Sequence, residues 1–117
     1  MTHSNARIRL LAFLGSVSDR LAAASADIAR SITRDFGGVS LSFVDGYWAP
    51  DGNNATGPYD ADNVSAEKTL RIELLVYPED EAAAIACVKA ACQTANAIHG
   101  LGAVYLHIET CPARAFH

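Results

Sequence analysis

Three side chains able to hold or move a proton follow one another at every second position near the carboxyl end of the chain. They are Tyr105, His107 and Glu109. If this segment is a β-strand, alternate residues project from the same face, so the three side chains lie side by side. An imidazole beside a carboxylate can accept a proton near neutral pH, as a general base does. An alternating strand with a polar face gives the same triplet without catalysis, so a solvated or interface role stays open.

The cysteines give a weaker signal for chemistry. Cys87 and Cys92 are five positions apart, which is not the two-residue gap typical of zinc or redox pairs. Cys111 with His107 and His117 lacks a closely spaced ligand pair, so no metal site is predicted. The chain has no glycine-rich phosphate-binding motif of the P-loop or Rossmann kind. We therefore expect no cofactor.

Composition and charge narrow the class of partner. The chain has 117 residues, 50% hydrophobic and 19% charged, which suits one globular domain. Residues 1–44 carry five Arg and three Asp, a balance of +2, whereas residues 45–117 carry four basic and ten acidic residues, a balance of −6. With no basic stripe, nucleic acid is not an expected partner. With no signal-peptide block and no run of roughly 20 apolar residues, we expect a cytoplasmic protein with no membrane partner.

Hydrophobic periodicity places four strands and two helices. Alternating apolar residues predict strands over 7–14, 39–44 and 69–77, and a fourth strand from Val104 until Cys111-Pro112 stops it. Apolar residues at helical spacing predict one helix capped by Ser16 or Ser18 and ended by Gly37-Gly38. A second helix opens at Pro78 and ends at Gly100.

The order of these elements, β-α-β-β-α-β, predicts the fold class. Two βαβ-like halves of similar size indicate an α+β, ferredoxin-like sandwich over residues 1–117. We expect a four-stranded antiparallel sheet with both helices on one face. Right-handed crossovers put the first and third strands in the centre, the fourth strand beside the first and the second beside the third.

The other face of this sheet has no helix to cover it. Its predicted apolar patch of Leu11, Phe13, Leu75 and Tyr77 is flanked by ionisable groups, which is typical of a partner or ligand surface. The plain interpretation is a homo-oligomer interface in a dimer or trimer, and a pocket between subunits is compatible with it. The candidate ligand-binding residues on this face are Arg9 and Arg71, and Arg9 can join the Tyr105–His107–Glu109 triplet.

A long connection, residues 45–68, joins the second and third strands without a periodic pattern. Connections of this length in compact domains are usually functional or disordered. This one contains Tyr47, Trp48 and Tyr59, including the only tryptophan of the chain. The three aromatic side chains either anchor the loop on the body of the protein or contact a ligand or a protein partner.

The element order with this long insertion resembles the PII-like signalling superfamily. The run Arg71-Ile72-Glu73-Leu74-Leu75-Val76 is similar to the third strand of that superfamily. The resemblance implies a trimer with small ligands in clefts between subunits, and a loop from Val44 to Lys68 that meets a protein partner. The segments Phe36-Gly37-Gly38-Val39, Gly46-Tyr47-Trp48 and Asp51-Gly52 also look like a family of small uncharacterised bacterial proteins.

These observations favour an oligomeric, non-enzymatic module that binds a small ligand or regulates a partner. It would act through the open sheet face, the clefts between subunits and loop 45–68. The alternative is a small cofactor-independent enzyme of the dimeric ferredoxin-like type, in which His107 or Tyr105 moves a proton. A second alternative is a mobile-element protein that sequesters a host factor.

Overall fold

A four-stranded antiparallel sheet carries two helices on one face. The computed structural model describes residues 4–49, 52 and 57–116. The strand order is β2-β3-β1-β4, so the predicted ferredoxin-like fold with β1 and β3 in the centre is confirmed. In chain order the elements are β1 (Ala6–Ser16), α1 (Leu21–Phe36), β2 (Ser40–Trp48), β3 (Ser65–Val76), a 3₁₀ turn (Pro78–Asp80), α2 (Glu81–His99) and β4 (Leu106–Arg114).

The core lies between the helices and the inner face of the sheet. Alternate aliphatic residues of β1 and β3 point into it, and α1 adds a stripe at helical spacing. α2 contributes mostly small side chains, which allow it to approach the sheet closely. Each buried aliphatic side chain contributes roughly 1.5–3 kcal/mol. The largest fully buried side chains are Leu10, Ile28, Ile32, Leu70, Ile72, Val88, Cys92 and Leu101.

Both helices end at the predicted glycines. Gly37 (φ 85°) and Gly100 (φ 62°) adopt the left-handed conformation that ends a helix without a Cβ penalty. The prediction that Ser16 or Ser18 caps α1 is wrong, because no side chain caps that helix. The buried Ser16 hydroxyl instead donates to the carbonyl of Leu101 at 2.7 Å and ties the end of β1 to the segment after α2. Among the described residues, neither helix is long and apolar enough to cross a bilayer.

The ladder between β2 and β3 is longer than predicted. Asp45 pairs with Lys68 and Trp48 lies opposite Ser65, so the connection runs over 49–64 rather than 45–68. Lys68 Nζ donates to Asp45 Oδ1 at 2.6 Å, and this contact raises the pKa of Lys68. These strand ends are mostly exposed on both faces, so they lack the burial alternation that marks a strand in sequence.

The last strand also runs further than predicted. β4 continues through Pro112 to Arg114, with Pro112 opposite Ile8 of β1. The expectation that Cys111-Pro112 stops the strand is wrong, because β4 is an edge strand and a proline there can direct its missing N–H away from the ladder. At its other end β4 begins at Leu106, so Tyr105 lies just before the strand.

Candidate functional site

A cleft of about 500 Å³ opens at one end of the sheet face that the helices leave uncovered, called the open face below. Four aromatic side chains contribute to its walls. Phe13 comes from β1, Trp48 from the end of β2, Tyr105 from the segment before β4 and His107 from β4. Glu67 of β3 adds a carboxylate. Four strands or strand ends therefore meet around one aromatic space.

The rings of Trp48 and Tyr105 lie nearly parallel. Their centroids are 5.9 Å apart and their planes differ by 8°. β2 and β4 form opposite edges of the sheet, so this contact requires the end of the β2–β3 hairpin to curl across the open face. Trp48 is 44% exposed and Tyr105 is 51% exposed, so both rings keep surface available to a ligand.

Glu67 holds Trp48 in this position. The indole Nε1 donates to Glu67 Oε1 at 2.7 Å. The carboxylate lies directly over Gly15 of β1, where an added Cβ would overlap Oε1 and stand 2.9 Å from Cδ. A glycine inside a central strand ordinarily weakens that strand. Here it gives the Glu67 carboxylate the space it needs to reach the indole.

The predicted Tyr105–His107–Glu109 triplet is brought together only in part. His107 Nε2 lies 2.8 Å from Glu109 Oε2. The His107 ring also packs on Phe13, with centroids 5.9 Å apart and planes tilted by 53°. Tyr105 stacks on Trp48, and no direct contact joins it to this pair among the contacts described. Because His107 lines the cleft, this imidazole–carboxylate pair stands at its rim.

The two predicted ligand-binding arginines, Arg9 and Arg71, form a separate cluster on the open face. Arg9 Nε lies 3.5 Å and Arg71 Nη2 lies 3.6 Å from the same atom, Glu73 Oε2. The 3.5 Å approach is close enough for an ion pair but does not have hydrogen-bond geometry, and Arg9 Nε is buried without such a bond within the described part of the chain. Neither arginine lines the aromatic cleft.

Of the three aromatic residues predicted to act from the loop, only Trp48 lines the cleft. Tyr47 precedes it in the same strand, so its side chain leaves the sheet on the opposite face, where it is 68% exposed. Tyr59 lies in the 49–64 connection and does not line the cleft. At Trp48 the two alternatives, anchoring of the loop and contact with a ligand, are compatible, because the anchored ring is itself a wall of the cleft.

Two residues of the cleft were missed by sequence reasoning. Glu67 fell inside the predicted loop 45–68, and Gly15 lay just beyond the predicted first strand, 7–14. A signal for Glu67 was present, since polar residues recur at every second position from Glu67 through Thr69 and Arg71 to Glu73. That alternation extends the third strand back into the cleft.

The cysteines lie outside the cleft. Burial raises the pKa of Cys92 to about 12, and burial together with the nearby Asp35 carboxylate raises that of Cys87. Cys111 is exposed on β4. Within the described ranges, no group of three His, Cys, Asp or Glu residues is placed to hold a metal ion. His117, considered as a ligand from the sequence, lies outside those ranges.

No protein-family model and no curated protein sequence matches the chain. Solved structures share its fold. A Bacillus cereus protein related to NIF3 has a TM-score of 0.54 at 12% identity over 96% of this chain, which spans only 27% of that protein. A DUF3240 family protein from Shewanella baltica has a TM-score of 0.50 at 12% identity, covering 94% of this chain and 93% of that one.

A third solved structure contains a small molecule. It is a phage SAM lyase in complex with S-methyl-5′-thioadenosine, with a TM-score of 0.51 at 12% identity, covering 98% of this chain and 94% of that one. At such identities the likeness shows the fold alone, which is the α+β ferredoxin-like arrangement described above.

Proposed function

We propose that the chain is a self-associating module that binds a small organic molecule with a planar ring in the aromatic cleft. One observation carries the proposal: the exposed, nearly parallel rings of Trp48 and Tyr105, 5.9 Å apart, at a cleft of about 500 Å³. This volume lies in the range of small-molecule sites, which combine apolar walls with a few polar groups. Glu67 and His107 are the polar groups here.

The ring pair is arranged to receive a flat ligand. A ring inserted between two others needs about 3.5 Å on each side, so the centroids must separate to about 7 Å. Because the planes are already within 8° of parallel, the rings need little change in tilt to receive it. Trp48 is the last residue of β2 and adjoins the 49–64 connection, so this opening requires movement at a strand end and not within the sheet. The same connection is where we expect a protein partner to sense the occupied cleft.

The phage SAM lyase supports the choice of a first probe. A chain of similar length and the same fold holds S-methyl-5′-thioadenosine, a nucleoside with a planar purine. We therefore propose a ligand of purine size and use that nucleoside to test the cleft.

Self-association is proposed through the remainder of the open face. Leu75 is 45% exposed there and lies beside the Arg9–Glu73–Arg71 cluster. Tyr77 is also exposed, with the Arg7 guanidinium 4.3 Å from its ring centroid. Apolar and aromatic side chains among arginines are typical of a protein–protein contact. A second copy placed on this face would cover Leu75 and border the cleft.

The only tryptophan provides the test. Because Trp48 is the only tryptophan, the protein has one indole N–H resonance, and this resonance reports directly on the cleft. Titration with S-methyl-5′-thioadenosine should shift it saturably in the wild type and not in Tyr105→Ala. Tyr47→Ala removes the same side chain from the opposite face and should leave the shift unchanged. No shift at millimolar nucleoside, or an equal shift in Tyr105→Ala, would contradict the proposal.

The small cofactor-independent enzyme remains the second candidate. Its supporting observation is the 2.8 Å contact between His107 and Glu109 at the cleft rim. If this pair moves a proton, the bound molecule is converted slowly during the titration, and His107→Ala abolishes conversion while binding persists. Unchanged ligand resonances after prolonged incubation with the wild type would rule out this candidate for that ligand.

A further inference from the structure

We infer that the ligand of the aromatic cleft carries a positive charge in the form of a small organic onium ion, a quaternary ammonium or a sulfonium. This inference rests on the proposed function and adds the chemical class of the ligand. The observation behind it is that a carboxylate and aromatic faces line the same space while the nearby cations are engaged elsewhere.

The charges around the cleft are separated by sign. Glu67 lines it, whereas no Lys or Arg does so among the described residues. By register the two nearest cations are Lys68, opposite Ser16, and Arg71, opposite Phe13. Lys68 pairs with Asp45 at 2.6 Å. Arg71 is paired as well. Its guanidinium is 3.6 Å from Glu73, whose carboxylate it shares with Arg9. The cleft therefore presents negative charge to a ligand, and the arginines next to it are already partnered.

The aromatic walls favour a cation for a second reason. The face of an aromatic ring carries negative potential, and a cation within about 6 Å of the centroid is attracted to it, most strongly by tryptophan. Trp48 donates its N–H to the Glu67 carboxylate at 2.7 Å. Donation to an anion polarises the indole and shifts electron density toward its ring. Tyr105 supplies a second face nearly parallel to the first.

An onium ion also suits the apolar part of the cleft. A quaternary ammonium or a sulfonium has no N–H groups that need acceptors, and its alkyl groups pack on hydrocarbon. Val17, Val104 and Leu106 provide hydrocarbon surface beside the aromatic rings. An onium ion is held by attraction of its positive charge to the aromatic faces and to the carboxylate, and its recognition needs no hydrogen-bond donors from the protein.

Two probes of equal shape distinguish the effect of the ligand's charge on binding from the effect of its shape. 4-Hydroxyphenyltrimethylammonium and 4-tert-butylphenol both present a planar ring and a tetrahedral group of three methyls, and they differ in whether nitrogen or carbon stands at its centre. Each is titrated into the wild-type protein and followed through the Trp48 indole N–H. We expect the cation to bind about tenfold more tightly, within the range that cation–π attraction provides.

Matched variants test whether Glu67 is the source of this preference. Glu67→Gln keeps an acceptor for the Trp48 N–H but removes the charge, and should reduce the cation's advantage several-fold. Asp45→Asn makes the same charge change at an exposed residue outside the cleft and should leave the advantage as it is. Equal losses in the two variants would attribute the preference to net charge and overturn the inference.

The outcomes separate the inference from the proposed function. If S-methyl-5′-thioadenosine shifts the indole resonance but the two shape-matched probes bind equally, the charge inference is wrong and the binding cleft stands. If neither the nucleoside nor either probe shifts the resonance, the proposed function is wrong and the inference falls with it.

Discussion

Replacing Gly15 by alanine is the sharpest local perturbation that this structure offers. The new Cβ would overlap Glu67 Oε1 and stand 2.9 Å from Cδ. The obstructing atoms form the end of a flexible side chain, so Glu67 can turn away while β1 and β3 stay paired. Once it turns, the Trp48 N–H loses its acceptor and the indole is no longer held against Tyr105. The substitution should therefore open the cleft without unfolding the sheet.

The effect on stability is expected to be small because two contributions oppose each other. A hydrogen bond to a charged group contributes about 1.5–3 kcal/mol, and this one belongs at or below the low end because it is exposed. Replacing glycine by alanine within a strand returns roughly 0.5–1 kcal/mol. The net decrease in the free energy of unfolding is then about 1 kcal/mol or less. Loss of the ligand-induced indole shift should be nearly complete.

Denaturant unfolding and the Trp48 indole resonance measure these two effects separately. Gly38→Ala is the matched control, since an added Cβ there meets nothing within 4 Å. It should change the free energy of unfolding by no more than about 0.5 kcal/mol and leave the ligand response intact. In a Glu67→Ala background the obstruction is gone, so Gly15→Ala should become neutral or stabilising. A Gly15→Ala protein that keeps the wild-type indole position and ligand response would refute the described role of Glu67.

Three further predictions concern other parts of the molecule. Ser16→Ala should lower the free energy of unfolding by about 1–3 kcal/mol, because it removes a buried hydrogen bond. As a control, Ser25→Ala removes an exposed hydrogen bond and should change the free energy of unfolding by less than about 0.5 kcal/mol. Denaturant titration measures both values. A thiol reagent should label exposed Cys111 first and Cys92 only after unfolding, because Cys92 is buried and burial raises its pKa to about 12. Rapid labelling of Cys92 in the native protein would contradict this placement. Leu75→Glu should weaken self-association in sedimentation while the helical circular dichroism is retained, and an unchanged assembly would remove the open face as the interface.

The fold could be predicted because its signals are local. β1 and β3 alternate aliphatic residues over most of their length, and α1 places its buried residues at helical spacing. Gly37 and Gly100 mark the ends of the helices through a backbone conformation that glycine adopts readily. The predicted strand ends were wrong where such local signals are absent. The paired ends of β2 and β3 are exposed on both faces, so they show no alternation of burial. The end of β4 was missed because an edge strand tolerates Pro112.

The candidate site was predictable only in its parts. The sequence marked Trp48 and His107 as candidate site residues, but it did not indicate that Trp48 reaches across the sheet to Tyr105. That contact depends on how far the hairpin curls over the open face, which is a property of the whole sheet. It also depends on the absence of a side chain at Gly15, over which the Glu67 carboxylate lies, and no periodic pattern records such an absence.

Native mass spectrometry in the presence of S-methyl-5′-thioadenosine can show both ligand binding in the aromatic cleft and self-association. The samples are gently purified, untagged wild-type protein and Tyr105→Ala. We expect both proteins to assemble from more than one chain and only the wild type to carry the nucleoside, one per chain. A wild-type protein that remains monomeric and binds none, or a Tyr105→Ala protein with the same occupancy, would contradict the proposed function.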